Sequence, residues 1–177
     1  MTQDRNAAID ALLDREALRD IAMRYSRAID RRDPELLASV YHDDAIDDHG
    51  TVFCDSAARF VAQQSTVMAP FELTAHYICN TSYRLDGDSA DGELYFIAYH
   101  RTHDPDAKHI IVSGRYLDNY ARRNGEWRIA HRRLVWDSFL TLDVAPVDMQ
   151  QLAALGSIGT TASDRSYEAL PLMPRGG

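Results

Sequence analysis

The sequence predicts an α+β fold in which helices come first and a curved antiparallel sheet follows. Three observations carry this. Apolar residues recur at helical spacing at Ile9, Leu12, Leu13, Leu18, Ile21, Ala22, Tyr25 and Ile29. After Pro70 the apolar period drops to two and stays there through four long segments. The two patterns are segregated along the chain rather than alternating, which gathers the helices on one face of the sheet.

The first helix is expected over residues 4–31, with a polar stretch at 14–16 that bends or re-caps it. Asp33-Pro34 marks a helix start, the aspartate as N-cap and the proline at the first helical position. That second helix covers about 34–42 and turns Leu36, Leu37 and Val40 inward, with Tyr41 beside them. Asp43 and Asp44 make a turn, residues 45–49 a short strand, and Gly50 its end. Asp55-Ser56 caps a third helix whose inner face holds Ala58, Phe60, Val61 and Val67, and Pro70 stops it.

Strands are expected at 73–85, 92–103, 109–123 and 126–140. The connectors DGDSADG, DPDAK and RNG have hairpin chemistry. Residues 1–143 read as one domain. Residues 144–177 read as a tail with apolar patches at Leu152, Leu155, Ile158, Leu170 and Leu172, running over the surface or onto a neighbouring subunit.

Composition narrows the function. Of 177 residues, 45% are hydrophobic and 26% charged, the balance of a soluble globular domain. A net charge of −8 repels phosphate backbones, so nucleic acid is not an expected partner. No apolar run approaches the roughly 20 residues that span a bilayer, and the N-terminus lacks the apolar core of a secretory signal. A cytoplasmic location is therefore expected. Cys54 and Cys79 have no CxxC spacing and are expected to be buried thiols.

Two residues stand out as candidates for chemistry. Asp30 falls in the last turn of the first helix, at the negative end of its dipole. It lies about 100° round from core-facing Ile29, at the edge of the buried face. The ordinary alternative is a surface aspartate paired with Arg27 or Arg31. His76 begins the first long strand among apolar and aromatic neighbours, and alternation puts Ile78 and Asn80 on its face. His100, in FIAYHRTH, is a third candidate. His100 and His103 fall on opposite strand faces and cannot chelate one ion, and HExxH and clustered Cys/His spacings are missing, so no metal is expected. GxSxG, GxGxxG and phosphate-loop patterns are missing too, and no cofactor is expected.

The segments REALRDIAMRYSRAIDRRD, ASVYHDDAI, TAHYICNTSY and YLDNYARRNGEWRIAHRR, in this order, resemble the SnoaL-like branch of the nuclear transport factor 2-like superfamily. The resemblance covers about residues 15–139. It implies a cone-shaped barrel: a curved antiparallel sheet closed by three N-terminal helices around an apolar pocket. Within the superfamily the sequence is similar to dehydratase-type enzymes such as scytalone dehydratase, bile-acid dehydratase and hexachlorocyclohexane dehydrochlorinase. That similarity implies a catalytic dyad at Asp30 and His76, a second histidine at His100, a tyrosine at Tyr25 and an arginine at Arg132, with Arg133 an equal claimant if the last strand carries a bulge.

The pattern departs from scytalone dehydratase at Asp48 and Tyr116, where that enzyme has a pocket tyrosine and a pocket asparagine. Tyr41, Asp48, Asn80, Tyr116 and Trp136 are the expected substrate-contacting residues. The implied activity is cofactor-independent elimination of water, halide or formaldehyde from a small apolar, aromatic or steroid-like molecule. The alternatives are a non-catalytic small subunit of a ring-hydroxylating dioxygenase, a ligand-binding domain, or an isomerase or cyclase using the same base. A homotrimer is the expected assembly.

Overall fold

The computed structural model describes residues 2–103, 105–144 and 160–176. Helix α1 runs unbroken over Thr2–Asp30. The polar stretch at 14–16 does not interrupt or re-cap it. Asp14 accepts hydrogen bonds from Trp127 Nε1 and Arg122 Nη1, each 2.8 Å, and so ties the helix to the last two strands. Leu18, Ile21, Ala22, Tyr25, Ala28 and Ile29 form its buried stripe. Ile9, Leu12 and Leu13 share the spacing but stay exposed, so the stripe is covered only from Leu18 onward.

The break after Asp30 is made by Arg32, which takes a left-handed backbone conformation at φ 51°, rare for a residue with a Cβ. Asp33 then caps helix α2 (Pro34–Ser39) by accepting from Leu36 N. Helix α2 ends earlier than expected because Tyr41 and His42 already belong to strand β1 (Tyr41–Asp48). Strand β2 (Cys54–Ser56) and helix α3 (Ala57–Met68) follow, with Ser56 as the cap. The inner face of α3 is Ala57, Phe60 and Gln64, while Ala58 turns outward and Val67 is half exposed. Gln64 Nε2 donates to Ile29 O at 3.1 Å, joining Arg32 at a carbonyl in the last turn of α1.

Four long strands complete the chain: β3 (Phe71–Asp86), β4 (Ser89–Thr102), β5 (Lys108–Arg123) and β6 (Glu126–Asp143). Consecutive strands pair antiparallel, while β1 lies parallel to β6, giving the order β2-β1-β6-β5-β4-β3. The α+β class holds, but the sheet is curved and open; it does not close into a complete barrel. The β5–β6 turn places Asn124 and Gly125 at φ 54° and 83°, the two left-handed positions of a tight hairpin. Helix α1 packs against β3 and β6, and α3 against β1, which sets the core between the helices and the concave face.

Four bulges interrupt the pairing of the long strands. One residue is added in β3 between Phe71 and Leu73, one in β3 between Ile78 and Thr81, one in β6 between Ile129 and His131, and one in β6 between Trp136 and Ser138. At Gly114, opposite the last bulge, a side chain would run into the Val135 carbonyl, so only glycine allows the strands to close there.

Residues 160–176, which include helix α4 (Arg165–Ala169), lie against the α1–α2 corner of the same chain. Tyr167 Oη and Gly176 N both donate to Asp33 Oδ2, and Arg175 donates to the carbonyls of Arg31 and Arg32. Leu170 and Leu172 are exposed, and Leu152, Leu155 and Ile158 fall outside the described residues. Cys54 and Cys79 are both exposed and unpaired with each other, contrary to the expectation of buried thiols. Among the described residues no helix is long and apolar enough to cross a membrane.

Candidate active site

Asp30 is the last residue of α1, where the helix dipole disfavours a carboxylate. Three donors from β3 offset that. Thr74 Oγ1 donates to Oδ1 at 3.0 Å, His76 N to Oδ2 at 2.8 Å, and His76 Nδ1 lies 2.7 Å from Oδ1. The register between helix and strand is held by Arg32, whose guanidinium donates to Ile29 O, Phe71 O and Thr74 Oγ1. The unusual backbone at Arg32 thus both ends the helix and aims its side chain at the strand carrying His76. Burial lowers the Arg32 pKa from its ordinary value, and Asp30 opposes the shift.

With Nδ1 committed to Asp30, the imidazole of His76 keeps Nε2 for other partners. The two side chains are 8% and 13% exposed, sheltered but within reach of a small molecule. His100 stands edge-on to His76, ring centres 5.5 Å apart, and packs on Phe71. Burial first, and then the neighbouring His76, push the His100 pKa down to about 4, so its ring is neutral at pH 7. Its Nδ1 is buried with no hydrogen-bond partner among the described residues.

Both histidines line a cavity of about 300 Å³, the lower end of the range for small-molecule sites. Phe60, Phe71, Phe96 and Tyr116 supply flat apolar walls, with Phe96 and Tyr116 stacked at 4.4 Å. Val52, Val67, Trp136 and Phe139 line the same cavity while staying more than half or about half exposed, which makes them its mouth. Exposed apolar residues around an opening of this kind mark an entry rather than a random surface patch.

Behind one wall lies a sealed polar cluster. Arg132 is fully buried and makes a two-pronged pair with Asp118, at 2.8 and 2.6 Å. Its guanidinium is sandwiched by the rings of Tyr25 and Tyr116, 4.0 and 4.2 Å from their centres. Burial raises the Tyr25 pKa, Arg132 partly opposing it, so the phenol keeps its proton. Tyr41 donates to Asp47 Oδ2 at 2.5 Å within the same cluster.

The expected residues therefore sort by position. His76, Tyr25, His100, Tyr116 and Trp136 line the cavity, and Asp30 is bonded to His76. Arg132 faces inward and Arg133 outward, because the bulge at 129–131 shifts the phase of β6. Arg132 and Tyr41 sit behind the cavity wall rather than in it. Asp48 does not reach the cavity. It faces away and accepts from Gly50 N, while its neighbours Asp47 and His49 turn inward. Asn80 is exposed, carried off the His76 face by the second β3 bulge.

Sequence reasoning passed over Thr74, Arg32, Asp47 and His49. The last two were signalled by plain alternation from Ala45, which puts Ala45, Asp47 and His49 on one side. Among the described residues no cluster of three or more His, Cys, Asp or Glu side chains could hold a metal.

Solved structures with the same fold include a hexachlorocyclohexane dehydrochlorinase (LinA) type 2. It is 21% identical, with a TM-score of 0.70 and coverage of 78% of this chain and 97% of that one. A putative scytalone dehydratase from Novosphingobium aromaticivorans is 21% identical, TM-score 0.66, covering 77% and 91%. A putative aromatic ring hydroxylase from the same organism is 23% identical, TM-score 0.65, covering 74% and 94%. No curated protein matches the sequence. A family model described as SnoaL-like domain matches residues 10–133, most of the length that carries the helices, the sheet and the cavity. The chain belongs to the SnoaL-like domain family.

Proposed function

We propose that the protein is a cofactor-independent lyase that removes water, formaldehyde or halide from a small apolar substrate, aromatic or steroid-like, bound in this cavity. The observation that carries the reading is the Asp30–His76 pair at the wall of an apolar chamber. Asp30 fixes the ring orientation and offsets the positive charge that builds on the imidazole when Nε2 takes a proton. Apolar walls strengthen that coupling by lowering the local dielectric. The acidic proton is a C–H beside a carbonyl or a phenolic O–H, and the leaving group departs from a nearby carbon. Neutral Tyr25 and His100 are available to hydrogen-bond the reacting oxygen. Arg132 serves the site from behind, by fixing the rings of Tyr25 and Tyr116.

Similarity in fold to dehydratase and dehydrochlorinase structures supports the class of reaction without fixing the substrate. The test is a mass-spectrometric screen of purified protein against phenolic diols, hydroxysteroids and hydroxylated ketones. Loss of water, formaldehyde or halide that vanishes in Asp30→Asn supports the proposal; product formed equally by both proteins contradicts it. A homo-oligomer, a trimer by preference, is part of the same reading. Tyr77, Tyr95, Ile97 and Leu140 are exposed apolar residues on the sheet, and a second copy would cover them. Light scattering of the purified chain checks it.

A further inference from the structure

The cavity has a second aspartate-backed histidine. His49 follows β1 and lines the cavity, and its Nε2 lies 2.7 Å from Oδ1 of Asp47. The ring is turned off the ideal line, so the contact is an ion-pair approach rather than a straight hydrogen bond. Neither atom has a hydrogen bond to any other described residue, although both are buried. A buried polar atom without a partner is costly, so each atom's nearest remedy is the other. Asp47 is fully buried and anchored through its other oxygen by Tyr41. His49 is held in turn by Phe53 and Phe60, ring centres 6.5 and 5.2 Å away, and by its backbone N–H donating to Phe53 O.

The two pairs are built in opposite senses. His76 uses Nδ1 for its aspartate and keeps Nε2, whereas His49 turns Nε2 to its aspartate and keeps Nδ1. They also come from opposite sides of the sheet. Three strands, β6, β5 and β4, separate β1 from β3, and the curvature brings both to one cavity. An elimination needs a base at one end of the breaking system and an acid at the other, and His76 as the base leaves the acid's place to another group.

We propose that His49, oriented by Asp47, is the general acid that protonates the departing hydroxyl, while His76 is the base; this rests on the elimination reading above. In that step His76 Nε2 takes the proton from carbon and the C–H electron pair becomes the new π bond. The C–O bond breaks with its pair on oxygen, the proton on His49 Nδ1 moves to that oxygen, and water leaves. The cycle closes when solvent carries the proton from His76 to His49.

The test uses one aryl ketone skeleton with two leaving groups, 3-hydroxy- and 3-acetoxy-1-(4-hydroxyphenyl)propan-1-one. Hydroxide needs an acid to leave; acetate, a stable anion, does not. His49→Gln should slow loss of water at least 100-fold and leave loss of acetate within about threefold of wild type. His76→Ala should slow both. Equal losses with both leaving groups in His49→Gln, or none, would overturn the acid role while leaving the base role intact. Turnover of neither compound by the wild-type protein contradicts the elimination reading and the acid role with it. Ring ¹⁵N spectra supply a readout that needs no turnover. A proton on Nε2 of His49, lost from that nitrogen in Asp47→Asn, supports the pairing; a neutral ring carrying its proton on Nδ1 in the wild type overturns it.

Discussion

The molecule holds two tight pairs of opposite character a short way apart. Arg132 and Asp118 are sealed from solvent and joined by two short hydrogen bonds. Asp30 and His76 are equally close, but one imidazole nitrogen is left over and the pair borders an open chamber. A buried ion pair sealed behind a wall, with no path to a guest, can position its neighbours and do little else. A pair with one uncommitted nitrogen at a cavity wall can exchange a proton with a guest. The difference separates scaffold from candidate chemistry without appeal to residue type.

Removing one partner from each pair should cost different things. His76→Ala should reduce turnover by about 10²- to 10⁴-fold, the usual worth of a positioned acid–base group, with the thermal midpoint nearly unchanged. Asp118→Ala should do the reverse. Leaving Arg132 buried and unpaired should cost about 3–5 kcal/mol of stability, read from urea unfolding. Any activity it loses should follow the loosening of Tyr25 and Tyr116 rather than a change in the proton-transfer step. If the two variants lost stability alike, the division into sealed and working pairs would fail.

A third prediction concerns His100, which stands edge-on to His76. Its pKa is depressed by burial and by His76 to about 4. Between that value and the ordinary 6.5 the unfolded chain binds a proton that the folded chain refuses. Stability should therefore fall as pH is lowered from about 6.5 to about 4, and His100→Asn should flatten that slope in thermal melts across the window. The smallest effect is expected at Thr74. Thr74→Val removes one donor to Asp30 and one acceptor for Arg32, which should cost about 1 kcal/mol of stability and a severalfold loss of turnover.

Much of this was legible in the chain. The apolar stripe from Leu18 to Ile29 fixed the buried face of α1, and Asp33-Pro34 marked the break that leaves Asp30 at a helix end. Period-two segments placed all four long strands. The pairing of Asp30 with His76 came from resemblance, since nothing in local spacing says that residues 46 apart meet. What was misplaced was misplaced by phase. Alternation carried Asn80 onto the His76 face, but the second β3 bulge inserts a residue and turns it out. In β6 the bulge between Ile129 and His131 decides for Arg132 over Arg133. Asp48 was chosen where Asp47 and His49 face in. Asp48 was placed there by resemblance, against the alternation from Ala45 that turns Asp47 and His49 inward. Bulges are backbone events without a residue signature, so sequence periodicity cannot register them.

A double-mutant cycle on a substrate from the mass-spectrometric screen, comparing Asp30→Asn, His76→Ala and the two together, measures whether Asp30 acts through His76. If the pair acts as one unit, the double variant should be no slower than His76→Ala alone. Multiplied losses from the two substitutions, or single variants as fast as the wild type, would contradict it.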